Sequence, residues 1–231
     1  MEGPVIPQAA GLLPDEVLAR RAALPLKPAP ATLQGKHMVL TPLLPEHIRP
    51  LYEVSNGTPA AIGDRRIEAY DAERLIWRYL FAGPFDDVEA FGAFCSLFGD
   101  APDSLTLCVI DLPTGRPVGS ASFLNNSPAH LKIELGNIWY SPLVQRTLAN
   151  TEATYLMLQH AFGLGYRRVE WKCDTRNERS RRAALRIGFR FEWVQESHFI
   201  VKDRSRDTAW FRILDDEWPE VEARLRGMLY S

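Results

Sequence analysis

The stretch Ile133-Glu134-Leu135-Gly136-Asn137-Ile138-Trp139-Tyr140-Ser141-Pro142-Leu143-Val144-Gln145-Arg146-Thr147-Leu148-Ala149-Asn150 changes period midway, and that change decides the fold. Up to Tyr140 it reads as a strand, with Ile133 and Leu135 on one face and Glu134 and Gly136 on the other. Beyond a short loop, Ala149, Ala153, Leu156, Met157 and Ala161 fall at helical spacing, and Gly163 and Gly165 close that helix. A second strand at 169–173 follows, and just past it stand Asn177 and Ser180. Strand, helix and strand form one crossover unit, which lays the two strands parallel in one sheet. The loop, ending in a helix N-terminus, turns backbone N–H groups outward and so makes an anion site. With Asn177 and Ser180 beside it, the unit points to a phosphate-bearing, nucleotide-type ligand.

Working outward, residues 1–35 carry many prolines and one short helical signal at 15–23, and read as an arm lying on the surface or against a partner. A strand is expected at 36–43 and a helix at 45–55, with Pro45 suited to a first turn. Helical patterns recur at 73–80 and 88–98. Leu105, Leu107 and Val109 alternate with Thr106, Cys108 and Ile110, a mostly apolar strand that must be buried on both faces. The turn Pro113-Thr114-Gly115-Arg116-Pro117 joins it to a strand at 118–123 as a hairpin. After the crossover come a helix at 178–187 closed by Gly188, strands at 189–194, 198–202 and 208–214, and a helix at 219–229. The expected class is α/β, with a largely antiparallel start and one parallel crossover. An N-terminal extension, 1–35, precedes one domain, 36–231.

Composition narrows the classes. A chain of 231 residues buries a sizeable core as one domain without staples. A formal charge of -2 argues against a broad nucleic-acid or anionic-membrane surface. No apolar run is long enough to span a bilayer, and the first residues lack the charged-then-apolar pattern of a secretory leader. Cys95, Cys108 and Cys173 are odd in number and at no metal-ligand spacing, so reduced thiols in a cytoplasmic protein are expected, with neither zinc nor disulfide.

The segments Ile133-Glu134-Leu135-Gly136, 145–153, Asn177 with Ser180, and Leu185-Arg186-Ile187-Gly188-Phe189 resemble the GCN5-related N-acetyltransferase (GNAT) superfamily, in particular its ribosomal-protein N-terminal acetyltransferase-like branch. Trp77-Arg78-Tyr79-Leu80, Gly83-Pro84-Phe85 and Arg206-Asp207-Thr208-Ala209-Trp210 add to the likeness, which spans 35–229. The resemblance implies a GNAT fold: a mixed central sheet whose parallel strands splay to form an acyl-CoA cleft, with helices on both faces. It further implies acetyl-CoA as co-substrate, no metal, and direct transfer of the acetyl group to an amine of a small molecule or a protein N-terminus. A monomer or homodimer is expected, with no nucleic-acid or membrane partner.

Carried over by position, the resemblance makes Gln145, Arg146, Thr147, Leu148, Ala149 and Asn150 the pyrophosphate loop. The family pattern is Gln or Arg, two residues, Gly, one residue, then Gly or Ala. Here Leu148 and Asn150 replace the small residues, and a Cβ obstructs close approach of backbone to phosphate. Asn177 takes the place of the residue that bonds pantetheine. Ser180 takes that of the group serving the leaving thiolate, since the tyrosine of many relatives is Ala184 here. A backbone N–H near Trp139 or Tyr140 would polarise the thioester carbonyl. An ammonium has no lone pair, so the chemistry needs a base. Glu134 is the first candidate and His198 the second, Phe199 standing where the branch has a catalytic Glu. Each has a plainer reading: a cap or turn residue for Ser180 and Asn177, a structural carboxylate for Glu134, a packed ring for His198. Of Arg146, Arg176, Arg179, Arg181, Arg182 and Arg186, Arg146 is best placed for the phosphates, and Trp193 is expected to narrow the acceptor pocket. Two rivals stand beside the transferase: a degraded GNAT-fold scaffold, because Leu148, Asn150, Ala184 and Phe199 depart from the pattern, and an enzyme of this fold with another donor or chemistry.

Overall fold

A computed structural model describes residues 11–230. In chain order the elements are α1 (Asp15–Ala23), β1 (Leu33–Gln34), β2 (Met38–Pro42), α2 (Pro45–Glu53), β3 (Ala60–Ile62), β4 (Arg65–Ile67) and α3 (Ala72–Leu75). A 3-10 turn at Trp77–Tyr79 leads to α4 (Val88–Asp100), β5 (Leu105–Asp111), β6 (Arg116–Ser127) and β7 (Lys132–Tyr140). Then follow α5 (Ala149–Gly163), β8 (Arg168–Asp174), α6 (Glu178–Ile187), β9 (Arg190–Val201), β10 (Arg204–Leu214) and α7 (Trp218–Tyr230). Eight strands form one sheet in the order β1-β2-β5-β6-β7-β8-β10-β9, and β3 with β4 forms a separate hairpin. Within the large sheet only β7 and β8 run parallel, as the crossover through α5 requires. The expected mixed sheet with helices on both faces is what the chain builds.

Alternation along β5 divides the core. Leu107 and Val109 join the cluster that includes Met157 and Ala161 of α5 and Leu225 and Leu229 of α7. Cys108, between them, joins Leu51 of α2, Phe91 and Phe94 of α4, and Trp77 and Trp139. Helices therefore cover both faces, and the intervening strand carries apolar side chains on each. Buried nearly all round, α5 is the central helix. In its first turn Glu152 is fully buried, and its carboxylate accepts the N–H groups of Lys36, His37 and Met38 at 2.7–2.8 Å. Gly35 is required there, because a Cβ would come within 2.5 Å of the Glu152 carboxyl carbon.

Two expectations on elements need revision. Residues 73–80 are not one helix, since the chain breaks at Ile76 (φ -126°, ψ -60°) and restarts as the 3-10 turn. The strands expected at 189–194 and 198–202 are a single strand, β9. A bulge around Ser197 (φ 48°) takes up the extra residues against β10, so polar residues in mid-strand do not end it. Of the arm, residues 1–10 lie outside the described ones; residues 11–35 lie on the surface of their own chain, where β1 pairs with β2 and Asn126 Nδ2 donates to Pro25 O and Leu26 O. Among the described residues no helix is long and apolar enough to cross a membrane.

Candidate active site

β7 and β8 pair from Lys132–Arg168 to Leu135–Trp171 and then part. The cause lies on the other side of β7. Ser122 of β6 faces Gly136 while Ser120 faces Trp139, so β7 carries an extra residue there, with Asn137 at φ 49°. Such a bulge bends its strand and releases it from its neighbour. Between the parted strands lies a cleft of about 850 Å³. Glu134, Trp139, Tyr140, Gln145, Arg146, Thr147, Asn150, Asn177 and Ser180 all line it, whereas Leu148, Ala149 and His198 do not.

The loop at 141–148 is braced from within. Gln145 Nε2 donates to Tyr140 O and Leu75 O, so this side chain ties the loop to the end of α3. Thr147 Oγ1 donates to Val144 O and accepts the Ala149 N–H. Arg146 sits at φ 64°, a left-handed conformation that a non-glycine residue adopts at some strain. Leu148 stands at φ -72°, ψ -9°, ordinary for any L-residue, so no glycine is needed there on backbone grounds. Its side chain is 41% exposed and off the cleft, leaving the groove clear of the leucine. As the residue preceding α5 it makes no side-chain cap; within the loop only Thr147 Oγ1 reaches the helix N-terminus, at the Ala149 N–H.

At the mouth of α6, Asn177 caps the helix: its Oδ1 accepts the Ser180 N–H at 3.1 Å. Both are therefore structural as well as cleft-lining. Asn177 keeps its amide NH2, and Ser180 Oγ, which accepts from Trp171 Nε1 at 3.0 Å, keeps its hydroxyl proton to donate. Burial pushes the Cys173 thiol up, with Ser180 beside it pulling the other way. Arg179 of α6 donates to Leu75 O and Arg74 O, and Tyr79 OH to Arg176 O. Residues 72–82 are thus strapped across the cleft by the loop on one side and α6 on the other.

Glu134 is 2% exposed. Its Oε2 accepts from Asn125 Nδ2 at 2.7 Å and lies 2.9 Å from Lys172 Nζ. Burial raises its carboxyl above the usual range, and Lys172 opposes the shift without cancelling it. His198 stands outside, its ring 3.7 Å from that of Phe199 and its Nδ1 buried without a hydrogen-bond partner. Burial, with Lys172 and Arg206 nearby, lowers its pKa. Trp193 does not line the cleft, so it does not narrow the pocket. From β9, at the edge of the sheet, it stacks on Trp210 of β10, with rings 6.3 Å apart and 7° from parallel. Two cleft residues escaped the sequence reading, Lys172 and the role of Arg206. Both are fixed by the pairing of β8, β10 and β9, which no local pattern announces. Among the described residues no group of His, Cys, Asp or Glu is arranged to hold a metal.

The family model described as an acetyltransferase (GNAT) domain matches residues 38–190. The structure is similar to that of a GCN5-related N-acetyltransferase from Brucella melitensis, with 36% identity, TM-score 0.78, and coverage of 88% of this chain and 87% of that one. A probable acetyltransferase of the GNAT family from Chromobacterium violaceum aligns over 95% of this chain and 98% of its own, with 33% identity and TM-score 0.74. A spermidine N-acetyltransferase from Vibrio cholerae, solved with CoA and spermine, shares the fold at 14% identity and TM-score 0.62, over 80% of this chain and 99% of that one. No curated protein matches. The parallel strands that part after Leu135, the helix N-terminus beside the cleft and these relatives agree, and the chain belongs to the GNAT acetyltransferase family.

Proposed function

We propose that this protein is an acetyl-CoA-dependent N-acetyltransferase, moving the acetyl group directly onto an amine of a small molecule or a protein N-terminus. The observation that carries the reading is the parting of β7 from β8 opposite the α5 N-terminus, which puts one continuous cleft beside the loop, Asn177 and Glu134. The residues present suit the co-substrate, because the groove is clear at Leu148 and Arg146 faces it with a free-standing charge. Acetyl-CoA supplies an activated thioester.

In this reading the α5 N-terminus and Arg146 hold the diphosphate, where helix dipole and guanidinium favour anions. The Asn177 NH2 positions the pantetheine arm, and a backbone N–H at Trp139 or Tyr140 polarises the carbonyl. Glu134 accepts the proton that the amine must shed as its nitrogen bonds the acetyl carbon and the C–S bond breaks. The Ser180 hydroxyl donates a hydrogen bond to the departing thiolate and keeps its proton. Isothermal titration with acetyl-CoA tests the reading. Saturable binding is expected, whereas absence of heat at high micromolar co-substrate would leave a scaffold of this fold.

A further inference from the structure

Arg206 is the buried guanidinium of the cleft that makes no ion pair among the described residues, whereas Arg146, Arg179 and Arg186 line it from exposed positions. It is 5% exposed, and its Nε is buried without a hydrogen-bond partner. Its guanidinium carbon lies 4.9 Å from the Phe81 ring centre and 5.5 Å from that of Phe199, two rings that pack edge to face on each other. The two carboxylates whose charge reaches it are already engaged. Asp174 receives Arg176 Nε at 3.0 Å and Nη2 at 2.8 Å, and Glu134 is held by Lys172 and Asn125. Lys172 lies 5.9 Å from the same Phe199 ring, so both cations flank one aromatic within reach of Glu134. Two cations therefore face one carboxylate at this end of the cleft, and a positive charge is left over. Both rings lie within cation–π distance of the guanidinium, and its planar N–H fork suits an incoming carboxylate.

We infer that Arg206 binds a carboxylate carried by the acceptor, so that the acceptor is an amine bearing a nearby carboxylate, as in an amino acid, rather than a polyamine. The inference rests on the N-acetyltransferase reading above and names its substrate class. With the carboxylate on Arg206, the amine turns toward Glu134 in the same cleft. A polycationic acceptor would meet Lys172 and Arg206 with like charge. The segment Arg206-Asp207-Thr208-Ala209-Trp210, part of the family likeness, thereby acquires a task at its first residue.

The test titrates full-length protein, with and without CoA, with N-acetylglycine, N-acetylleucine and N-acetylphenylalanine and with the primary amide of each. These are the expected products and their uncharged counterparts. At least one acid should bind tenfold or more tightly than its amide. Arg206→Gln should erase that preference, and Arg206→Lys, which keeps the charge but loses the fork, should retain part of it. Acid and amide binding alike in every pair, binding of neither, or a preference that survives Arg206→Gln would overturn the inference. The wild-type comparison stands even if a variant does not fold. Titration of CoA alone separates the two readings. CoA binding without any acid preference sinks the carboxylate site only, and acid preference without CoA binding sinks the transferase while leaving the anion site.

Discussion

At the residue scale, Asn177 holds two tasks that substitution can separate. Its Oδ1 caps α6, and its NH2 is free to meet a ligand. Asn177→Asp keeps an acceptor for the Ser180 N–H and removes the amide donor. We expect it to retain the melting temperature while lowering kcat/KM about tenfold, roughly 1.4 kcal/mol. Asn177→Ala should lose a further ~1 kcal/mol of stability with the cap. Steady-state kinetics beside thermal melts read the two losses independently, and equal activity in Asn177→Asp and wild type would remove the ligand role. Glu134 carries a pH signature. Burial raises its pKa, so as pH falls through that value the carboxylate takes up a proton and ceases to be a base. Activity should therefore rise with pH through a limb common to acceptors of different amine pKa. Glu134→Gln should abolish that limb and lower kcat about 100-fold. A limb that persists in the variant would belong to another group.

At the element scale, the loop before α5 shows why a motif read by letters misleads. The glycine of the family pattern falls on Leu148, which has helical dihedrals and an outward side chain, so the replacement obstructs nothing. The strain sits two residues earlier at Arg146, with φ 64°. Arg146→Gly should raise stability by about 1 kcal/mol by relieving the left-handed backbone. It should also weaken acetyl-CoA binding through loss of the guanidinium. Urea melts and titration of the same preparation measure both, and a destabilised variant would show that the side chain braces the loop. The helix α6 was legible for local reasons: Asn177 caps its start, and Gly188 at φ 118° ends it, its N–H donating to Ala184 O and Leu185 O. The break at Ile76 was not. The straps from Gln145 and Arg179 that hold Leu75 come from residues about 70 and 104 positions away.

At the scale of the whole molecule, the arm and the sheet form one packing unit. β1 covers the outer edge of β2, Leu24 and Leu33 pack on the core, and Lys27 Nζ donates to Ala101 O at 2.8 Å. Removing residues 1–34 should lower unfolding free energy by roughly 2–3 kcal/mol from lost apolar burial and uncover a strand edge prone to association. Chemical denaturation and sedimentation of the truncated chain check this, and unchanged stability with no association would show the arm to be dispensable.

What the sequence determined by itself was whatever depends on neighbours along the chain: the strand–loop–helix–strand order, the caps of α6, and a parallel pair joined through one helix. The mixed sheet followed from that order, and the family from the likeness of segments such as Leu185-Arg186-Ile187-Gly188-Phe189. Tertiary structure alone decided which side chains share the cleft. It merged two expected strands into β9, withdrew His198 and Trp193 from the pocket, and brought Lys172 and Arg206 to Glu134. Local spacing encodes dihedral preference and the facing of a single element. The meeting of β8 with β10, and of β10 with β9, is set by burial and register across the sheet, and that meeting brings the buried, unpaired Arg206 guanidinium to the cleft.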